Sequence, residues 1–490
     1  MPSDRPGESL RSCAGSPSVR FLLGLALITL ASWGRWLATG SLRIDENYPA
    51  EVPGSLLLAA LLVGWALVVT AWVRLLKRPP ERPRRLAYGG LLVVAFMLPL
   101  LSNDLYGLLA YAGLAARGHD VYTSTQSLPA SSWFLWIGER WRANPCPYGP
   151  LALLSAAWPS LAGERNAFLA VFLLRLIFFI PLVAVMEFSF RAFRDRPFFQ
   201  AMLWLNPLLL VEGAGQLHLD LLGALAITAG LIAQSKGRRL WGALGWASAT
   251  LFKWNEVLAA PWFWLAGAPS WGQRLKSLLL LASVLAGLTA VAYLPFWRGP
   301  ETLREPLRAL FVQTVVPAGS VVDAIGEVGN ALRPDKGDHF DPNMPVVERV
   351  AQQREARASL WRAGQLAMWL VALAALLPLL WRSSRLRTDE EVALAGGTFI
   401  IIVLTLASPK FESWYLMSAL PFFGCACPPI WRRWWPWMVF AAVSKEFPLT
   451  LPRNALLFKP AVGLSMAMTV AVCLCCFRQR FWRPPVLDGG

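Results

Sequence analysis

Apolar runs long enough to approach or cross a bilayer follow one another along this chain, about 14 in all, from residues 21–38 to residues 456–477. No other feature restricts the fold as strongly. Hydrocarbon offers a backbone amide no hydrogen-bonding partner, so each crossing must satisfy its own groups as a helix or share them in a closed barrel. The period-two alternation of a barrel strand is absent. The expected class is an all-α polytopic membrane protein, with residues 1–490 forming one integral-membrane domain. Composition agrees, since 56% hydrophobic and 16% charged residues, with a mean hydropathy of +0.46, lie outside the soluble balance.

The net charge of +16 does not point to nucleic acid. Its basic residues are dispersed in short clusters between apolar runs, where they act as topology signals that resist translocation. Placing those clusters inside gives a two-sided map with both termini cytoplasmic in a plasma (inner) membrane. Arg5, Arg11 and Arg20 precede Phe21–Leu30 like a signal sequence, but no clean small-x-small site follows, so a retained first helix is expected. Seven cysteines form neither a disulfide framework nor a metal-ligand spacing, and no cofactor or metal is expected.

Two long outward loops remain, at 103–166 and 297–362. The first follows the expected span 86–102, so that Asp104 emerges at its outer rim, and carries Tyr106, Tyr111, His119, Asp120, Tyr122, Trp133, Trp136, Trp141 and Tyr148. This mixture of flat rings and polar groups suggests a reaction chamber at the membrane surface, against the plainer use of aromatics as an interfacial belt. Within it, Leu105–Arg117 is expected to lie in the headgroup plane and Tyr148–Ala162, bounded by Pro150 and Pro159, to be interfacial or re-entrant. Several later runs are short. At 1.5 Å per residue Phe198 to Val211 covers only about 21 Å against a bilayer core of about 30 Å, so the run at 198–212 is expected to be broken or sunk among neighbours.

Four polar clusters converge on the same outer face in this map. They are Asp104 with Asp120; Glu212, Gln216, His218 and Asp220; Lys253, Asn255 and Glu256; and Lys410, Glu412, Trp414 and Tyr415. Each has a structural alternative: Asp120 as a turn residue, Asp220 as a helix cap, and Lys253 and Lys410 as side chains that snorkel to headgroups. Arg175 lies deep inside the run 167–190, where an unpaired cation costs about 2.5–3.5 kcal/mol. It should face the interior and pair a carboxylate such as Glu187 or a lipid phosphate. A transporter or lipid flippase is the rival class, but its site should lie at the midplane between matched halves, which this chain lacks.

A series of motifs carries a resemblance. Asn103-Asp104-x-Tyr106 ends an apolar run, and Gly118-x-x-x-Tyr122, Trp141 and Pro145-Cys146-Pro147-Tyr148-Gly149-Pro150-Leu151 follow it. Asn206-Pro207-Leu208, Gly215-x-x-His218-x-Asp220 and Lys253 come later. The pattern resembles the polyprenyl-phosphomannose-dependent α-1,6-mannosyltransferases, integral-membrane glycosyltransferases of the GT-C fold, over about residues 86–260. It departs from them at His119-Asp120-Val121 and at His218-Leu219-Asp220. The resemblance implies a polyprenyl-phosphate-linked sugar entering from the lipid bilayer, mannose first among candidates, and a glycan or glycolipid acceptor on the periplasmic or extracytoplasmic side. It also implies a catalytic acid in the first outer loop, the position of Asp104. On that reading Asp104 is the general base, with Arg175, His218, Asp220, Lys253 and Lys410 at the donor phosphate. Tyr106, Asp120, Tyr122, Tyr148 and Trp414 are the expected acceptor or sugar contacts. One base and no evident nucleophile favour inversion by single displacement.

Overall fold

In the computed structural model every regular element among the described residues is helical. The structure describes residues 16–39, 42, 54–100, 104–123, 133, 145–268, 270–304, 389–404 and 413–425, with isolated positions between 363 and 374. The expected spans at 434–448 and 456–477, the loop beyond residue 304, and Lys410 lie outside the described residues.

Four helices are long and apolar enough to cross a bilayer: Pro17–Thr39, Ala59–Lys77, Ala167–Ala192 and Trp271–Phe296. The first of these, α1, packs along α2 (Gly54–Lys77) through a glycine pair. A Cβ on Gly24 would sit 2.7 Å from the Gly64 carbonyl oxygen, so the two backbones touch only because neither residue has a side chain.

The expected run at 86–102 is not one continuous helix. Helix α3 runs only from Pro83 to Ala95, about 20 Å, and the chain leaves helical geometry over Met97–Leu100. Pro99 supplies the cause, because a proline disfavours the α conformation in the residue before it and lacks an N–H of its own. Asp104 therefore does not sit at the end of that helix. It opens a separate helix, α4 (Asp104–Ala116), whose residues Leu105–Leu114 are all buried, so α4 is packed inside protein rather than spread in the headgroup plane. Helix α5 (Pro150–Ala162) lies against it.

The later short runs are broken, each at a readable residue. Helix α7 (Pro197–Trp204) stops before Asn206-Pro207, whose asparagine side chain accepts from the Leu208 amide at 2.9 Å. A π-helix, Leu208–Gly215, follows, and α8 (Asp220–Ser235) then returns beside α9 (Arg239–Phe252). Lys253 is extended and separates α9 from a 3₁₀ turn at Trp254–Ala259. The chain from Phe199 to Leu225 is buried throughout, so these pieces form the interior and the long helices flank them.

Two contacts fasten the pieces together. Arg175, in the middle of α6 (Ala167–Ala192), is buried and donates to the carbonyls of Ala95 (2.8 Å), Met97 and Gly215 (3.0 Å). The Gln216 side chain accepts from the Leu100 amide at 2.6 Å. Both join the segment leading into Asp104 to the end of the π-helix that leads into His218. The second contact is at Gly149, whose amide donates to the Phe252 carbonyl at 3.1 Å. A Cβ there would stand 2.0 Å from the Leu251 carbonyl oxygen. The loop turn at Tyr148-Gly149-Pro150 thus rests directly on the end of α9, one residue before Lys253.

Arg175→Leu should leave three buried carbonyls without a donor and lower stability by on the order of 3 kcal/mol, read as a fall in thermal unfolding temperature in detergent. Arg175→Lys keeps the charge but not the planar fork, and is expected to recover less than half of that loss. Gly149→Ala should displace the turn and give a poorly folded protein in the same assay.

Candidate active site

Asp104 sits in the first turn of α4, where free backbone N–H groups favour an anion, and its side chain is 40% exposed. Tyr148 fixes its backbone by donating to the Asp104 carbonyl at 3.0 Å, and Tyr122 in turn donates to the Tyr148 carbonyl at 3.2 Å. The carboxylate is therefore accessible while the peptide carrying it is held.

His218 faces it. Its Nδ1 lies 3.7 Å from Asp104 Oδ2 and its Nε2 3.5 Å from Glu212 Oε2, and the ring stacks on Trp414 with centroids 3.9 Å apart. These are ion-pair distances, longer than good hydrogen bonds. The turn that delivers the imidazole is strained: Leu217 has φ 59°, a conformation that costs a side-chain-bearing residue about 1–2 kcal/mol. The π-helix supports it, since its wide last turn bonds Gln216 N to the Val211 carbonyl at 2.9 Å and brings the Glu212 carbonyl to His218 N at 3.3 Å. Burial opposes a charge on His218, but the two flanking carboxylates outweigh it and raise the imidazole from its ordinary 6.5 to about 9.

A second cluster lies at the start of α8. Lys253 Nζ is 2.6 Å from Asp220 Oδ2 and 4.2 Å from the Tyr415 ring centroid, a cation–π contact. Glu256, fully buried, accepts from Ser418 at 2.5 Å, and fits only because Gly223 is bare: a Cβ there would lie 2.8 Å from Glu256 Oε1. Trp414 and Tyr415, packed edge to face, connect this cluster to His218. Asp220 Oδ1, Glu256 Oε2 and both oxygens of Glu212 have no protein hydrogen-bond partner among the described residues. Buried polar atoms left open in this way are places for water or a ligand.

Of the residues singled out by sequence, Asp104, His218, Asp220, Lys253, Tyr148 and Trp414 belong to these two clusters. Arg175 faces the interior, but the expected pairing with Glu187 is corrected: Glu187 is held by Arg84 at 2.8 Å and by the Tyr88 hydroxyl, and the Arg175 fork is occupied by carbonyls. Asp120 is a turn residue, its side chain accepting from the amides of Tyr122 (3.0 Å) and Thr123 (3.1 Å) and from the Thr123 hydroxyl. Tyr106 is fully buried, donates to the Leu42 carbonyl at 3.0 Å and stacks near Trp133, while Tyr122 is buried against Tyr293. In this structure neither ring is open to a sugar. Sequence reasoning gave Glu212 and Glu256 no role of their own, although they stood in the polar clusters. No sequence signal placed Ser418 beside Glu256.

The raised imidazole predicts a pH dependence. A group whose folded value lies above its unfolded one contributes stability that is complete below about 6.5 and lost as pH rises through about 9. The contribution is on the order of 2–3 kcal/mol, so wild-type unfolding temperature should fall across that window more steeply than that of His218→Gln.

The comparisons with known proteins agree with the motif pattern. The family described as "Alpha-(1->6)-mannopyranosyltransferase, N-terminal domain" matches residues 20–269. Alpha-(1->6)-mannopyranosyltransferase A of Mycobacterium tuberculosis is 25% identical over 444 residues, 83% of this chain and 80% of the relative. The proteins A and B of the same name from Corynebacterium glutamicum are 26% identical over 222 residues and 27% identical over 228. These shorter matches cover 41% and 39% of this chain and 45% and 37% of the relatives. Half of the chain, including Asp104, His218 and Lys253, falls inside the family match, and the protein accordingly belongs to the alpha-(1->6)-mannopyranosyltransferase family of glycosyltransferases.

Proposed function

We propose that this enzyme transfers mannose from a polyprenyl-phosphate-linked donor to a glycan or glycolipid acceptor at the outer face of the membrane, by inverting single displacement with Asp104 as general base. The observation that carries this reading is the pairing of a half-exposed carboxylate with a buried imidazole, beside a lysine held among aromatic rings. The full-length topology proposed with it has about 14 spans, both termini cytoplasmic, and the site on the outer side.

The chemistry follows from the residues. The acceptor hydroxyl gives its proton to Asp104 as its oxygen bonds to the anomeric carbon, and the bond from that carbon to the phosphate oxygen breaks. The electron pair leaves with the phosphate, which gains charge at that moment. Lys253 suits the role of holding it: Asp220 occupies one of its three N–H donors and leaves the others for a phosphate oxygen. Tyr415 gives that ammonium a flat apolar support. Lys410 remains a candidate second cation on this reading. Arg175 acts at a distance, by holding the backbone that carries Asp104 and His218.

A transporter would place its polar groups at the midplane between repeated halves, whereas these gather where short helices begin and end. Asp104→Asn should lower transfer of radiolabelled mannose from polyprenyl-phosphate mannose in membranes by about 10²–10⁴, while the protein remains inserted and folded. Lys253→Gln should raise the donor KM by about tenfold or more. Wild-type turnover in Asp104→Asn would overturn the assignment of the base.

A further inference from the structure

The Glu212 side chain is fully enclosed, one imidazole ring away from Asp104. It is 0% exposed, sits within the π-helix, and neither oxygen has a hydrogen-bond partner among the described residues; its one ion-pair contact is His218 Nε2 at 3.5 Å. Its own backbone carbonyl accepts from the His218 amide at 3.3 Å, so a single residue grips His218 at both main chain and ring. An apolar side chain of similar length would fill the same space without the cost of burying a carboxylate. That cost, added to the strained Leu217 and to the uncommon π-helical turn, falls on one short segment whose effect is to aim the imidazole at Asp104.

We infer that the sealed carboxylate of Glu212 is a positioning residue for the transfer reaction, acting on the base Asp104 through the His218 imidazole. The inference rests on the reading of Asp104 as base. Three elements face the imidazole: the π-helix with Glu212, α4 with Asp104, and the 3₁₀ turn at Ser413–Ala419 with the uncharged Trp414 ring. Among the described residues the two carboxylates are the charged groups that pair with it. Glu212 faces Nε2, whereas Asp104 faces Nδ1, and its side chain is fully buried where that of Asp104 is 40% exposed. Its carboxylate, 3.5 Å from Nε2, favours the imidazolium, the form that carries N–H at both ring nitrogens and so directs one at Asp104. Without Glu212, burial acts against the charge with one carboxylate left to oppose it, and the neutral ring is free to carry its single proton on either nitrogen.

The test compares the pH–rate profiles of wild type, Glu212→Gln and Glu212→Asp, using polyprenyl-phosphate mannose as donor, with unfolding temperature followed over the same pH range. In Glu212→Gln the alkaline limb should move down by about one pH unit or more and turnover fall by about tenfold or more, while donor KM stays within about twofold. Glu212→Asp should restore part of the limb. In a His218→Gln background, Glu212→Gln should add less than about a twofold further loss, because a residue acting through His218 has nothing left to act on. An unshifted limb, or losses that multiply in the double variant, would show that Glu212 serves the fold alone. If Glu212→Gln does not fold, the Glu212→Asp profile decides, a limb identical to wild type together with reduced turnover counting against the inference. If wild type itself does not use this donor, the proposed reaction fails. The Glu212–His218 link is then read from stability, whose decline between about pH 6.5 and 9 should be smaller in Glu212→Gln than in wild type.

Discussion

A guanidinium in an apolar interior must donate its N–H groups to something, and in this protein Arg175 gives them to carbonyls from two separate stretches of chain. Ala95 and Met97 lie where α3 has ended, and Gly215 lies where the π-helix ends. Both stretches have left regular α-helix and so have carbonyls to offer. One cation satisfies both and thereby fixes the distance between the chain entering Asp104 and the chain entering His218. Gln216 repeats the join from the other side by accepting the Leu100 amide. The arrangement obeys the rule that backbone groups released from a helix in a buried interior must be supplied with partners.

The broken helices have a shared consequence. A continuous helix hides its amides and carbonyls and directs its side chains along fixed rows, whereas a break exposes polar backbone and lets a side chain point along the helix axis. Asp104 and Asp220 both occupy the first turn of a helix, and Lys253 is the extended residue between α9 and the following 3₁₀ turn. His218 lies in the turn that joins the π-helix to α8. The clustered polar groups thus come from the ends of short pieces, while the long helices Pro17–Thr39, Ala167–Ala192 and Trp271–Phe296 present large apolar side chains outward. Glycines set how closely the pieces approach. Gly149 lets the first loop rest on the end of α9, and Gly223 makes room for a buried carboxylate.

Charge is handled in pairs. Asp220 neutralises Lys253, and His218 stands between Asp104 and Glu212, so burial of these groups is opposed by near neighbours rather than by bulk water. Aromatic rings complete the enclosure, with Trp414 on the imidazole and Tyr415 under the ammonium. Such pairs place opposite charges a few ångströms apart in a medium where their mutual attraction is strong and water is scarce.

The sequence by itself determined the all-helical class, because a helix satisfies its own amides within each apolar run and the alternation of barrel strands is absent, and it marked the residues that gather at the site, because charged groups in such a chain are few. It also contained the breaks: Pro99 and Asn206-Pro207 end helices by removing N–H groups and α-compatible backbone. Hydropathy averages over those breaks, which is why 86–102 reads as one span although the helix ends at Ala95 and Met97–Leu100 is not helical. Tertiary structure alone decided the partners. The pairing of His218 with Glu212 as well as Asp104 depends on a π-helical turn and a left-handed Leu217 that composition does not announce, and the assignment of Arg175 to carbonyls rather than to Glu187 depends on which chains lie within reach of its fork. Spacing in sequence says which groups a chain must shield from hydrocarbon, but only the packing of distant segments sets which of them meet.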